Sequence, residues 1–402
     1  MKKRQLYALK KRAFVAGIVI FSILLIFFVY YMIARPSGNL DVLFTKKIPV
    51  KVQVTALDES GSFIFLGSPQ GKLIILDITG EELANIDVGL PVLEIFVHNK
   101  SQKVIIRTSS FLVSYTFDGK QAWKYEVKEY YPQFVQALQK NTVGIYMKSK
   151  RGEFPMVCVL DLSSGKEQKK VKLEIEAFDF SPAFAKDANS IIYEVSPGML
   201  SRVELKKNLP MVWKVNLDTK SGRYSSLKTK ITDSNLAICY FERDDKESEQ
   251  EKTTQEFFVF EIDKYQANPN ETVEVKPFWS ATISGKIADI QFDSQNDNIL
   301  VHSDTISVFN RDGELLLKEP EGSIYNFSQI GHDRFVSAFF LDNFNPKGTS
   351  TQFVAKGIGR EGVIWRYTDT RNYLLPAVTP NCETLLIAAI DSEQVTLLRL
   401  KQ

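Results

Sequence analysis

The sequence predicts an all-β fold, an eight-bladed β-propeller with seven blades as the alternative, preceded by a single N-terminal transmembrane helix. Three observations predict it. Residues 13–34 form one unbroken apolar run, and from Val50 onward short β-rich runs alternate with tight turn signals. Within that second stretch a glycine turn recurs at a spacing centred in the forties.

The apolar run, AFVAGIVIFSILLIFFVYYMIA, carries no charge. At about 1.5 Å per helical residue it extends about 33 Å, enough to cross a hydrocarbon core of about 30 Å. Lys2, Lys3, Arg4, Lys10, Lys11 and Arg12 precede it with no acid among them, and the positive-inside bias then sets the N-terminus in the cytoplasm. Tyr30 and Tyr31 suit the outer interface, and Arg35-Pro36 closes the helix. The run is too long for the apolar core of a cleavable signal peptide, so it is expected to remain as an anchor. The chain divides accordingly into a basic cytoplasmic tail (1–12), the span (13–34), a linker (35–41) and a propeller ectodomain (42–402). That ectodomain lies outside the cytoplasmic (inner) membrane, in the periplasm if the cell envelope is bacterial.

Past the linker, runs such as SFIFLGS, KLIILDI, KVIIRTS, FLVSYTF, MVCVLDL and EFFVFEI each have strand length and no helical period. Hairpin signals recur at Asp77-x-x-Gly80, Phe117-Asp118-Gly119, Asp161-x-x-x-Gly165, Asp218-x-x-x-Gly222 and Asn310-x-Asp312-Gly313. Glycine suits such exits because it adopts φ > 0 without steric cost. The glycines are 39 (80 to 119), 46 (119 to 165) and 57 (165 to 222) residues apart, and the stretch to Gly313 fits two units with Asp263 between them. A period of that length, with four short strands per unit, is a propeller signature, whereas a β-sandwich would show no larger period.

Blades are expected to begin near Val50, Val92, Phe134, Ala177, Thr232, Lys286, Tyr325 and Arg371. The eighth has only three strands before the chain ends. Residues 42–50, VLFTKKIPV, supply a spare strand that would close the ring and remove two exposed edges. Trp123, Trp279 and Trp365 fall on the last strands of their units, with Trp213 one strand earlier, and all four are expected to pack between blades.

The x-D-x-x-G turns followed by a tryptophan resemble the blade pattern of the quinoprotein-type propellers with their PQQ-type repeats. That superfamily includes the propeller lipoprotein of the bacterial outer-membrane β-barrel assembly machine. For enzymatic members the resemblance implies a quinone pocket, often capped by adjacent cysteines. Here Cys158, Cys239 and Cys382 are widely separated, so no cofactor is expected.

Other chemistry is sparse. His98, His302 and His332 fall on different blades, which disfavours a metal site or a catalytic triad. Gly357-x-Gly359-x-x-Gly362 lacks the following helix that a phosphate loop needs. Residues 293–298, DSQNDN, lack the glycine and terminal glutamate of a calcium loop. A net charge of +2 gives no footprint for nucleic acid. Polar residues on predicted inner strands, Gln136, Asp179, Asp289 and Gln291, are candidate contacts for a small ligand in the channel. Residues 242–255, more than half of them charged, and the stretches 197–210 and 342–352 are expected to lengthen hairpins.

These features favour a non-catalytic interaction scaffold in a cell-envelope complex, with other envelope or membrane proteins as partners. A sensor for a small envelope ligand, such as a sugar or peptidoglycan fragment bound in the channel, is the alternative. A quinone-dependent or hydrolytic enzyme ranks third.

Overall fold

The computed structural model describes residues 40–401 apart from 139–140, 174–181, 197–198, 207–210, 218–225, 233, 243–253, 265–272, 294, 320–324, 342–349, 359–361, 372–373 and 391–392. The basic tail, the apolar run and the first five linker residues lie outside the described residues. Among the described residues no helix is long and apolar enough to cross a membrane.

The chain opens with β1 (Leu40–Lys47) and continues through blade one, β2 (Val54–Leu57), β3 (Phe63–Gly67), β4 (Lys72–Asp77) and β5 (Glu82–Asp87). Blade two is β6 (Glu94–His98), β7 (Lys103–Arg107), β8 (Phe111–Thr116) and β9 (Gln121–Glu126). Blade three is β10 (Tyr130–Leu138), β11 (Thr142–Ser149), β12 (Met156–Asp161) and β13 (Glu167–Lys172). Blade four is β14 (Ala183–Phe184), β15 (Ser190–Ser196), β16 (Met199–Glu204) and β17 (Met211–Asn216). Blade five is β18 (Ser226–Ile231), β19 (Leu236–Glu242), β20 (Thr254–Glu261) and β22 (Trp279–Ser284), with β21 (Val273–Glu274) diverted to blade four. Blade six is β23 (Asp289–Phe292), β24 (Ile299–His302), β25 (Ile306–Phe309) and β26 (Leu315–Lys318). Blade seven is β27 (Tyr325–Gly331), β28 (Arg334–Leu341), β29 (Ser350–Gly357) and β30 (Val363–Asp369). Blade eight is β31 (Leu374–Val378), β32 (Thr384–Ala389), β33 (Gln394–Leu400) and β1. Eight sheets settle the count against seven.

Closure follows the expected route. Leu40 pairs with Leu400 and Lys47 with Gln394, and the seam continues as Ile48 N–H donates to Glu393 O at 2.7 Å. Strand β1 begins at Leu40, two residues inside the stretch read as linker.

The core consists of clusters between neighbouring blades rather than one central mass. In blade one, Ile64, Leu66, Ile74 and Leu76 pack with Leu386, Ala388, Val395 and Leu397 of blade eight. The alternate residues Phe65, Leu73 and Ile75 pack with Val104, Ile106 and Val113 of blade two. Successive strand residues point to opposite faces, and both faces of an interior blade are covered. That is why β3 and β4 read as continuous apolar runs. At about 1.5–3 kcal/mol for each fully buried aliphatic or aromatic side chain, these interfaces supply most of the driving force for the ring.

Because every blade runs its strands in the same order from the inside outward, the ring has two unlike faces. First-to-second and third-to-fourth turns share one, here the turn face. Second-to-third connections and the blade-to-blade links share the other, the loop face. In every blade but the fifth, the third-to-fourth pairing carries a bulge, for example at Ala122 between Gln121 and Trp123. A bulge re-aims the residue that follows it, here toward the next blade.

Three expectations are corrected. Trp213 lies on β17, the fourth strand of its blade, not one strand earlier. The Asp218–Gly222 signal falls in chain between β17 and β18, outside the described residues, so it is not a hairpin within blade four; blade five starts at Ser226 rather than Thr232. The supposed insert 197–210 contains β16, and 197–198 simply joins β15 to it. Residues 243–253 and 342–349 do join second to third strands, in blades five and seven.

Candidate functional site

The inner strands are where a channel ligand would be read, and their polar groups are engaged across blade boundaries. Gln136 Nε2 donates to Phe184 O and its Oε1 accepts from Phe184 N–H, both at 3.0 Å, so the amide completes the ladder toward blade four. Gln291 Nε2 donates to Ser328 O at 2.8 Å and to Asp289 Oδ2 at 2.9 Å, while its Oε1 accepts from Ile330 N–H. Asp289 also pairs with Lys230 Nζ of blade five at 2.5 Å, and that ammonium donates to Ile290 O at 2.6 Å. Asp179 lies outside the described residues.

Equivalent clips went unread in the sequence. Gln53 donates to Val92 O, and Gln329 to Val378 O at 2.7 Å. Arg107 reaches Pro132 O of blade three at 3.0 Å while its Nε holds Glu94 at 2.7 Å. Burial nevertheless pushes the Glu94 carboxyl above the usual carboxylate range. The available signal was a glutamine or cation recurring near the innermost strand of successive units.

The tryptophans form a second set of junctions. Trp123 lies against Gly165 of blade three, and its Nε1 donates to Leu162 O at 2.7 Å. Gly165 has φ +69°, and a Cβ there would stand 2.8 Å from the indole, so both backbone and space select glycine. Trp279 repeats this on Gly313, with Nε1 donating to Arg311 O at 2.8 Å, and Phe44 of β1 packs in the same way on Gly80 between blades eight and one. Trp365 is fully buried and donates to Cys382 O at 3.0 Å, in the first turn of blade eight, where no third-to-fourth turn exists. Trp213 pairs through its backbone with Arg202 and with Val273.

The three thiols are buried, and burial pushes each up to about 12. They are therefore neutral near pH 7 and poor nucleophiles. His98 Nδ1 lies 2.8 Å from Ser101 Oγ, and burial with Lys100 and Lys103 nearby lowers its pKa. His302 is buried with Nδ1 3.2 Å from Ser328 Oγ, and His332 sits in the first turn of blade seven. Among the described residues no three His, Cys, Asp or Glu side chains cluster as a metal site.

Two concavities among the described residues open on the turn face. One of about 450 Å³ lies between blades one and two, lined by Phe63, Leu83, Gln102, Phe117 and Asp118. Another of about 320 Å³ lies between blades five and six, lined by Asn235, Glu261, Asp263, Lys264 and Arg311. Turn-face connections are short, except for 262–278, which carries β21 back onto blade four. Loop-face connections vary more, with 243–253, 173–182, 217–225 and 342–349 the longest and 150–155 of intermediate length.

No protein-family model matches the chain, and no curated protein matches it. Among solved structures, 1259 chains match, so the likeness speaks to a widely used architecture. One is the crystal structure of BamB from Moraxella catarrhalis, with 12% sequence identity over 90% of this chain and 100% of that one, at a TM-score of 0.54. At that identity the likeness shows the fold alone. The resemblance to the quinoprotein-type propellers holds at that level.

Proposed function

We propose that this chain is a non-catalytic, membrane-anchored propeller that serves as an interaction scaffold in a cell-envelope complex, with other envelope or membrane proteins as its partners. The apolar run 13–34 would hold it in the cytoplasmic membrane, with the basic tail in the cytoplasm. The observation that carries the reading is how the ring divides its labour. Inner-strand polar atoms are consumed in blade-to-blade clips, which stiffen the wall and leave fewer groups to read a channel ligand. Several long connections, 243–253 and 342–349 among them, lie on the loop face, and loops on a rigid scaffold are where recognition normally resides.

The test is to shorten 243–253 and 342–349 separately, and to replace His98, His302 and His332 one at a time. Partners recovered from gently solubilised membranes are then quantified. A shortened connection should reduce recovery of a specific partner by about tenfold, equivalent to about 1.4 kcal/mol of binding, while each histidine variant recovers it as wild type does. Loss of cellular function in a single histidine variant with folding and partner recovery intact would refute the scaffold reading.

A further inference from the structure

We infer that the loop face of blade three is a docking site for an acidic, extended segment of a partner protein. Tyr131, at the start of β10, and Phe154, in the connection 150–155, are 42% and 41% exposed. A single exposed ring is ordinary on a protein surface, and what sets these two apart is the charge beside them. Leu93, 43% exposed, belongs to the same quarter, because its N–H donates to Arg107 O while the Arg107 guanidinium reaches Pro132 O beside Tyr131.

Cations surround these rings. Lys150 Nζ stands 5.0 Å from the Tyr131 centroid and donates to Lys128 O at 3.1 Å. Lys172 Nζ stands 5.7 Å from the Phe154 centroid and pairs with Glu153 at 3.4 Å. Lys128, Lys148, Lys150, Arg151 and Lys172 outnumber Glu126, Glu129 and Glu153, and Lys128, Lys150 and Arg151 sit on connections rather than in strands. Apolar rings ringed by cations match a chain that alternates carboxylates with apolar side chains, since each ring contact is then flanked by an ion pair.

Topology separates this patch from lipid. Strand β1 enters the ring on the turn face, because a fourth strand starts where the third-to-fourth turns lie, and Leu40 sits beside Leu400 there. On the anchored reading proposed above, only residues 35–39 join the span to β1. At about 3.3–3.6 Å per residue they reach no more than about 20 Å, which holds the turn face near the bilayer. The loop face, and blade three's patch with it, then looks away from the membrane, toward soluble or peripheral proteins.

The experiment uses the full chain in detergent micelles and a short fluorescent peptide of alternating glutamate and leucine, read by anisotropy. The peptide should bind wild type in a salt-sensitive way. Affinity should fall by about tenfold or more in the pair Lys150→Glu with Arg151→Glu, and again in Tyr131→Ala with Phe154→Ala. A control pair on the turn face, Lys100→Glu with Lys120→Glu, should change it less than about twofold. No binding by wild type, equal loss in the control pair, or binding of phosphatidylglycerol vesicles but not peptide through the same residues would overturn the assignment. Failure of the anchored reading is a separate result: the chain would leave the membrane pellet on carbonate washing while peptide binding persisted.

Discussion

The junction between blades two and three and the junction between blades four and five start from the same device and finish it differently. In both, the fourth strand carries a bulge, just before Trp123 in one and just before Trp213 in the other. At the first junction the next blade offers a compact turn, and the indole lies on Gly165 with its N–H satisfied by Leu162 O. At the second, the next blade offers the long connection 262–278. Val273 and Glu274 there pair in parallel with Trp213 and Lys214, Val275 N–H donates to Lys214 O, and Arg202 donates to Ile262 O at 2.6 Å. A tight turn lets one ring dock on one glycine; without it the neighbour covers the blade's edge with a strand.

The most severe way to break the comparison is to remove a ring-on-glycine junction together with the strand that carries it. Deleting 40–47 takes away Phe44 against Gly80 and the whole β1–β33 ladder. The propeller should lose more than about 4–5 kcal/mol, well beyond an ordinary point change, and its melting temperature should fall accordingly. An unchanged melting temperature by calorimetry would show that β1 is a linker and not a structural strand.

Next in size is Trp123→Ala, which empties a buried site and orphans Leu162 O, at about 3–5 kcal/mol by urea denaturation. Gly165→Val should destabilise too, through its φ and its clash with the indole. Combining the two should cost about 1 kcal/mol less than the separate effects added, because the alanine vacates the space the valine needs. Strict additivity would mean that the contact is not what selects glycine.

Smallest should be Val275→Ala beside β21, at about 1.5–2 kcal/mol for the apolar groups lost. Hydrogen exchange should quicken at Lys214 and Val275 before it does anywhere in blades two and three. If Val275→Ala were as damaging as Trp123→Ala, the crossing strand would be an equal substitute for the docked ring and not a lighter cover.

The same contrast explains what could be read from the sequence. Gly80, Gly119, Gly165 and Gly313 each mark a third-to-fourth turn, so blades one, two, three and six were legible, and counting strands backward from the chain's end located the closing strand. Blade four has no such glycine between β16 and β17. The signal at Gly222 then drew the frame forward, displacing Trp213 by a strand and turning β16 into an insert. Two-residue β21 is too short to show any period, and it exists because of its neighbour. Gln136 and Gln291 were legible as polar inner-strand residues. Their use was not, because an amide that completes a backbone ladder in the next blade looks in sequence like one that waits for a ligand.

The pairing of β1 with β33 also governs when this protein can fold. Its two strands are the first and last of the described chain, so the seam cannot form until every blade has been synthesised. Until then β1 is an unpaired edge whose Val42 and Leu43 stay exposed even in the closed ring, and blade eight offers the matching edge. Contacts of such high sequence separation form late and expose both partners to mispairing while they wait. Ring closure is therefore the step at which a growing chain is most open to chaperone capture, and a truncation that removes β33 leaves β1 without its partner.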